Sequence, residues 1–207
     1  MIGISMNDIY YCKPQKECIC EIKIKKSVFI SYISDISTEN EIRDTLNQVR
    51  EQHKQATHNC YAYRYGFDNI TEYYSDDGEP SGTAGRPILN AITKYQLLST
   101  IIIVSRYFGG IKLGVRGLID AYYRSACNVI EKSGIKKSIP ASEIKFSVSY
   151  ENYNMVVNKI KEICDDKIQP KCKYTDKIFV NIAIPILYKS DVENFLKSQE
   201  YRRIVNI

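Results

Sequence analysis

Apolar residues recur along the chain with two periods, and the places where the period changes mark out its elements. Glu17–Ile24 and Ser27–Ile33 read as two strands of a hairpin, with Ile22, Ile24 and Phe29 among the apolar positions and Lys23, Lys25 and Lys26 between or after them. Thr38 and Glu41 have the spacing of a capping box. Ile42, Leu46, Val49 and His53 follow at helical intervals, which predicts a helix to about Lys54. Cys60–Gly66 and Thr71–Ser75 flank Asp68-Asn69, a hairpin signal. Arg86-Pro87 opens a short helix with Ile88, Leu89 and Ile92 on one side. Thr100–Tyr107, with Ile101, Ile102, Ile103 and Val104 in succession, predicts a central strand covered on both faces. From Val115 to Lys132 an apolar stripe through Leu118, Tyr122, Ala126 and Val129 predicts a long helix, stopped by Gly134.

Beyond Gly134 the alternation is stricter. Ile144, Phe146, Val148 and Tyr150 predict a half-buried strand, and Met155, Val156, Ile160 and Ile163 a helix. Ile168, Pro170, Cys172 and Tyr174 alternate again, and the proline assigns this strand to a sheet edge. Ile178, Val180, Ile182, Ile184 and Ile186 make a third strand. Ser190 and Glu193 read as the cap of a helix carrying Val192, Phe195 and Leu196, and Tyr201–Ile207 as a last short strand. The order βαββαβ is that of the ferredoxin-like split unit. The expectation is an α+β protein of two domains, 1–134 and 135–207, joined through Ile135–Ala141, where Pro140 interrupts the chain.

With 44% hydrophobic and 26% charged residues over 207 positions, the chain can build a core for each domain. No apolar run approaches the ~18 residues of a membrane span, so no membrane partner is expected. The start MIGISMNDIYY lacks a basic stretch followed by an apolar one, and the expected location is the cytoplasm. Seven scattered cysteines, an odd number, suggest reduced thiols rather than disulfides. No C-x-x-C pair occurs and there are two histidines, so neither a metal nor a cofactor is expected. The net charge of +5 is uneven: 16 Lys and Arg stand against 15 Asp and Glu up to residue 134, and 13 against 9 beyond it. A basic second domain invites a polyanion.

Two loops concentrate the candidate chemistry. Ser75–Pro87 reads SDDGEPSGTAGRP and Arg106–Gly114 reads RYFGGIKLG, both at predicted strand–helix junctions. Asp76, Asp77 and Glu79 are oxygen donors of the kind that hold hard cations, but carboxylates in a Gly/Pro loop more often serve the turn itself. Gly109, Gly110 and Gly114 precede a helix whose free N–H groups point back at the loop, an anion seat to which Arg106 and Lys112 add charge. The alternative is that the glycines permit close strand–helix packing. His58 and Cys60 share a strand face, which reads as a core cysteine beside a hydrogen-bonded histidine rather than a nucleophile and its base. Tyr61, Tyr63, Tyr65 and Phe67 alternate on the same segment as a core face. The expected cleft comprises His58, Asn59, Asp76, Asp77, Glu79, Arg86, Arg106, Gly109, Gly110 and Lys112, with no catalytic residue among them. In the second domain Lys145, Lys171, Lys173 and Arg203 alternate with the apolar set. Strand order 4-1-3-2 would gather them on one open sheet face, beside the aromatic Phe179. Such a face suits phosphate tracking, and edge lysines also block strand pairing with other chains.

HNCYAYRYG (His58–Gly66), SDDGEPSGTAGRPIL (Ser75–Leu89) and VSRYFGGIKLG (Val104–Gly114), preceded by KKSVFI (Lys25–Ile30), resemble the IMPACT/YigZ family in this order, over most of residues 17–134. The resemblance implies a first domain like domain IV of elongation factor G and ribosomal proteins, and a second like domain V of the same factor, as in bacterial members. Eukaryotic relatives are associated with translational control through competition for the activator of a stress-responsive kinase, but their second domain differs, so that partner does not transfer. Two departures from the family stand out. Val28 replaces a usual basic residue, and Gly114-Val115-Arg116-Gly117 replaces a glycine-rich run, stiffening the helix start and adding a guanidinium to its first turn. The function expected on these grounds is a non-catalytic factor that binds RNA or a ribosomal component and modulates translation. The alternatives are an enzyme acting on a phosphorylated small molecule and a protein-binding adaptor.

Overall fold

The computed structural model of the chain describes residues 10–67, 69–166, 168–198 and 205–206. They divide into one compact unit over Tyr10–Ser138 and a second from Ile139 on. The first is built on an antiparallel sheet of five strands: β2 (Cys18–Ile24), β3 (Ser27–Asp35), β4 (His58–Tyr65), β5 (Thr71–Ser75) and β6 (Thr100–Tyr107). Their spatial order is β2-β3-β6-β4-β5, so β6 lies at the centre, and Ile101, Ile102, Ile103 and Val104 are all fully buried. Ile102 and Val104 face one side with Phe29, Ile33, Cys60 and Ala62, against α2 (Gly85–Lys94) and α3 (Gly114–Ser133). Ile101 and Ile103 face the other, against α1 (Glu39–Gln52) and the half-buried Tyr61, Tyr63 and Tyr65. Each such buried aliphatic side chain contributes about 1.5–3 kcal/mol, which is why a run without polar alternation forms the middle strand.

Helix α1 starts where the capping pattern places it. Thr38 Oγ1 accepts from the Glu41 N–H at 3.2 Å, and the Glu41 carboxylate accepts from the Ser37 N–H at 2.6 Å. Ile135–Ala141 does not behave as a plain linker. Ile135–Ser138 forms β7, paired antiparallel with a further strand, β1 (Tyr11–Pro14), from Tyr11↔Ser138 to Pro14↔Ile135. The first unit therefore extends four residues beyond Gly134, because backbone groups on either side of that glycine find partners in the chain's own start.

The second unit has four strands, β8 (Ala141–Val148), β9 (Lys171–Tyr174), β10 (Ile178–Pro185) and β11 (Val205–Asn206), in the order β11-β8-β10-β9. With α4 (Tyr150–Ile163) between β8 and β9, and α5 (Lys189–Lys197) between β10 and β11, its topology is βαββαβ with strands ordered 4-1-3-2. Ile144, Phe146, Val180, Ile182 and Ile184 bury one sheet face against Val156, Ile160, Val192 and Leu196 of the two helices. Four local expectations shift. Tyr150 opens α4 because Ser149, extended, ends the strand. The strand after Pro170 begins only at Lys171, since proline offers no N–H to the ladder. Ile186 leaves β10 for a single 3₁₀ turn. That turn runs directly into α5 at Lys189, so Ser190 lies inside the helix and does not cap it. Of the expected Tyr201–Ile207 strand, all but Val205–Asn206 lies outside the described residues, as does Asp68 of the hairpin turn.

Candidate functional site

A single row of cross-strand neighbours organises the end of the first sheet. Phe29 of β3 pairs with Arg106 of β6, which pairs with His58 of β4. All three side chains share the parity of Ile102, Val104 and Cys60, so they point to the α2/α3 side. The Arg106 guanidinium lies near the rings of Phe29 and Phe108, its carbon 5.5 and 5.3 Å from their centroids, close enough for cation–π attraction. The loop after β5 brings Glu79 into the same place, where its carboxylate accepts from Arg106 Nη1 at 2.5 Å and from the Tyr122 hydroxyl at 2.8 Å. The side chains of Glu79 and Arg106 are 3% and 6% exposed. His58 Nε2 stands 3.9 Å from the same carboxylate oxygen, and Nδ1 is 2.8 Å from the Asp77 carbonyl. A carbonyl only accepts, so the geometry assigns the proton to Nδ1.

Above this floor opens a cavity of about 430 Å³. His58, Glu79 and Arg106 form its polar end. Phe108, Leu113, Val115 and Leu118 make its apolar walls, and Lys112 stands at its edge. The walls come from the Arg106–Gly114 loop and the first turns of α3. Gly109 sits so close to β3's entry that a Cβ there would collide with the Lys26 carbonyl, and its N–H donates to Ser27 Oγ at 3.3 Å. Gly110 adopts φ +83°, which a side chain would strain. Close packing thus accounts for one glycine and chain reversal for the next.

Of the ten residues expected to share a cleft, His58, Glu79, Arg106 and Lys112 line this cavity. The acidic trio separates completely. Asp76 accepts from the N–H groups of Gly82, Ala84 and Gly85 at 2.8–3.0 Å, so it serves the turn and the start of α2. Asp77 accepts from the Asn59 N–H at 2.6 Å and stands 3.8 Å from Arg50 of α1. Asn59, one residue from His58, faces the α1 side by strand parity, and its Oδ1 accepts from Ser105 at 2.6 Å. Arg86 is exposed and lies over the Tyr74 ring, 5.8 Å from its centroid, away from the cavity. Gly109 and Gly110 shape the loop without lining the space. No group of three metal-ligating side chains occurs among the described residues. Cys60 is fully buried, its sulfur 2.9 Å from the Asp76 carbonyl oxygen and 3.4 Å from the Tyr122 hydroxyl. Burial, with the nearby carboxylates, pushes its thiol far above the ordinary cysteine range, which favours the protonated form. Burial likewise raises the Tyr122 phenol. Tyr122 was legible only as part of a helical stripe. The signal for its role was a hydroxyl in an otherwise aliphatic core, which requires a partner.

In the second unit the sheet face opposite α4 and α5 carries the lysines. Register places Lys145, Asn181 and Lys171 in one row across β8-β10-β9, and Ser147, Phe179 and Lys173 in the next. They border a shallow depression of about 500 Å³ in which Phe179 is 49% exposed. Lys145 has an exposed ion pair to Glu143 at 3.4 Å. Arg203 lies outside the described residues.

The family model described as the Impact N-terminal domain matches residues 25–130. The chain belongs to the IMPACT family. It is 41% identical over 142 residues to IMPACT family member YvyE of Bacillus subtilis (strain 168), covering 69% of this chain and 65% of that protein, just under two thirds of its length. Over 165 residues it is 29% identical to IMPACT family member YigZ of Escherichia coli (strain K12), covering 79% and 80% of the two chains. A crystal structure of a hypothetical protein has the same fold, with a TM-score of 0.69 over 93% of this chain and 94% of that one, at 24% identity. The IMPACT match contains the whole cavity and ends before the lysine-bearing sheet. No helix among the described residues is long and apolar enough to cross a membrane.

Proposed function

We propose that this IMPACT family member is a non-catalytic cytoplasmic factor that binds RNA or a ribosomal component and modulates translation, with the second unit as its nucleic-acid surface. The observation that carries this reading is the pair of rows Lys145–Asn181–Lys171 and Ser147–Phe179–Lys173 on a sheet face that the unit's own helices leave uncovered. A phosphate backbone crossing these strands would meet three ammonium groups, with Phe179 between them as a platform for one base. The exposed Lys145–Glu143 pair is worth little in water and yields readily to a phosphate. On this reading the second unit is a ferredoxin-like module comparable to domain V of elongation factor G, and the first is comparable to domain IV. That fold-level analogy supports a translational role without naming the RNA.

The test is a salt titration of binding to a single-stranded RNA. The logarithm of affinity should fall with the logarithm of salt by about 0.7 per phosphate contacted. Lys171→Ala with Lys173→Ala should reduce that slope by about one to two contacts, leaving the unfolding midpoint unchanged because both side chains are exposed on an edge strand. RNA affinity that ignores salt, or that the double substitution leaves intact, refutes the assignment of this face.

A further inference from the structure

We infer that the cavity of the first unit is a binding site for a small phosphate monoester with an apolar or aromatic body, separate from the RNA face. Charge is the first ground. Glu79 and Arg106 neutralise each other at the floor, while Lys112 is exposed and forms no ion pair among the described residues. Helix α3 begins at this mouth with no side chain capping it and no acidic residue in its first turn. Its free N–H groups and partial positive charge therefore remain available to an anion. Several N–H donors converging with an ammonium suit the three oxygens of a phosphate better than the two of a carboxylate.

The second ground is independent of the helix. Arg106 Nε is buried and has no hydrogen-bond partner, although Arg106 lines the cavity. Buried polar groups are almost always satisfied, so an unpaired donor on a side chain that lines the cavity points to an oxygen supplied from outside. His58 also lines the cavity, with Nδ1 turned to the Asp77 carbonyl at 2.8 Å and Nε2 3.9 Å from the Glu79 carboxylate.

The third ground is the apolar wall. Phe108 and Val115 remain 45% and 61% exposed while lining the cavity. They give the concave mouth an apolar wall on which the body of a ligand would pack. The volume of about 430 Å³ falls within the ~300–1,000 Å³ of small-molecule sites.

The experiment uses the full chain with phenyl phosphate as probe, and inorganic phosphate and phenol as controls. Phenyl phosphate should bind saturably and slow hydrogen exchange over residues 108–118. Each control, lacking one half of the ligand, should bind at least about tenfold more weakly. Lys112→Ala should weaken phenyl phosphate by about tenfold, and Val115→Asp should do the same or more. Both positions are exposed, so the unfolding midpoint should not move and loss of binding reads the site itself. Absence of saturable binding below about 1 mM, or binding indifferent to both substitutions, overturns the inference. So does a 5′-phosphorylated RNA that protects the same segment at lower concentration than phenyl phosphate, since the cavity would then hold an RNA end and not a small molecule. Loss of RNA binding in the Lys171/Lys173 variant leaves this result untouched, which keeps the two proposals distinguishable.

Discussion

Replacing Glu79 with Leu removes one half of a charge pair that folding has taken out of water. The partner, Arg106, would keep Ser27 Oγ at 3.4 Å as its remaining hydrogen-bond acceptor, and the Tyr122 hydroxyl would lose its acceptor altogether. Breaking a buried pair by deleting one member costs about 3–5 kcal/mol, and an orphaned buried hydroxyl adds about 1–3 kcal/mol. The cavity above lets the freed guanidinium turn towards water, so the net loss should stay near 3–5 kcal/mol. Unfolding entropy of about 2.1 cal/mol/K per residue over the roughly 130 residues of the unit converts this to a fall of roughly 10–20 °C in its midpoint. Adding Arg106→Met removes the stranded charge while keeping a polarisable chain between Phe29 and Phe108. The double variant should return to within about 1–2 kcal/mol of the parent, giving a large coupling in the cycle. Urea unfolding supplies the energies, and hydrogen exchange at Thr100–Tyr107 confines the readout to this unit. A single-variant loss below about 1 kcal/mol, the range of exposed pairs, or strictly additive single effects, would refute the buried-pair reasoning.

Two further outcomes follow from contacts already described. Asp76→Ala removes the acceptor for three N–H groups around the start of α2 and should cost about 2 kcal/mol, the upper range for a lost cap; Asp76→Asn should fall between, and equal stability of all three chains in urea would show that the turn holds without it. His53, 2.9 Å from the Tyr107 hydroxyl, has its pKa lowered by burial from the ordinary 6.5. Below that pH the unfolded chain takes up a proton that the folded one resists, so stability should decline as pH falls through 6.5 and level off below the folded-state pKa. The decline should be shallower in His53→Asn, and parallel curves for the two chains between about pH 5 and 7 would exclude His53 as its source.

Most of the fold was legible because each element carries its own period. The run Ile101–Val104 announced a doubly covered strand, and the alternation from Ile178 to Ile184 announced a half-covered one, as their burial shows. The β1–β7 ribbon was not legible. Tyr11–Pro14 and Ile135–Ser138 are short and mostly polar, and what makes them strands is each other, across more than a hundred residues. Local pattern cannot report a pairing whose two halves are individually unremarkable. The same holds at helix starts. Thr38 caps α1 because an extended residue precedes the helix, whereas Ser190, with an equally good Ser-x-x-Glu spacing, is already inside α5 because a 3₁₀ turn delivers the chain in helical conformation.

The cavity residues divide along a similar line. Strand parity separates His58 from Asn59 and aligns Arg106 with Val104, so the polar row on the α2/α3 face was available from the sequence once the sheet was assumed. The acidic loop obeys no period. Within four residues Asp76 turns to the N–H groups of α2, Asp77 to the α1 side of the sheet and Glu79 to the buried guanidinium. A carboxylate's role is set by the nearest donors, and in a loop wound by Gly78 at φ +87° those change with every residue. The three acids looked like one cluster because they are adjacent in sequence. They are three separate solutions to unpaired donors, and Glu79 alone is directed at a charge that the cavity keeps within reach of a ligand.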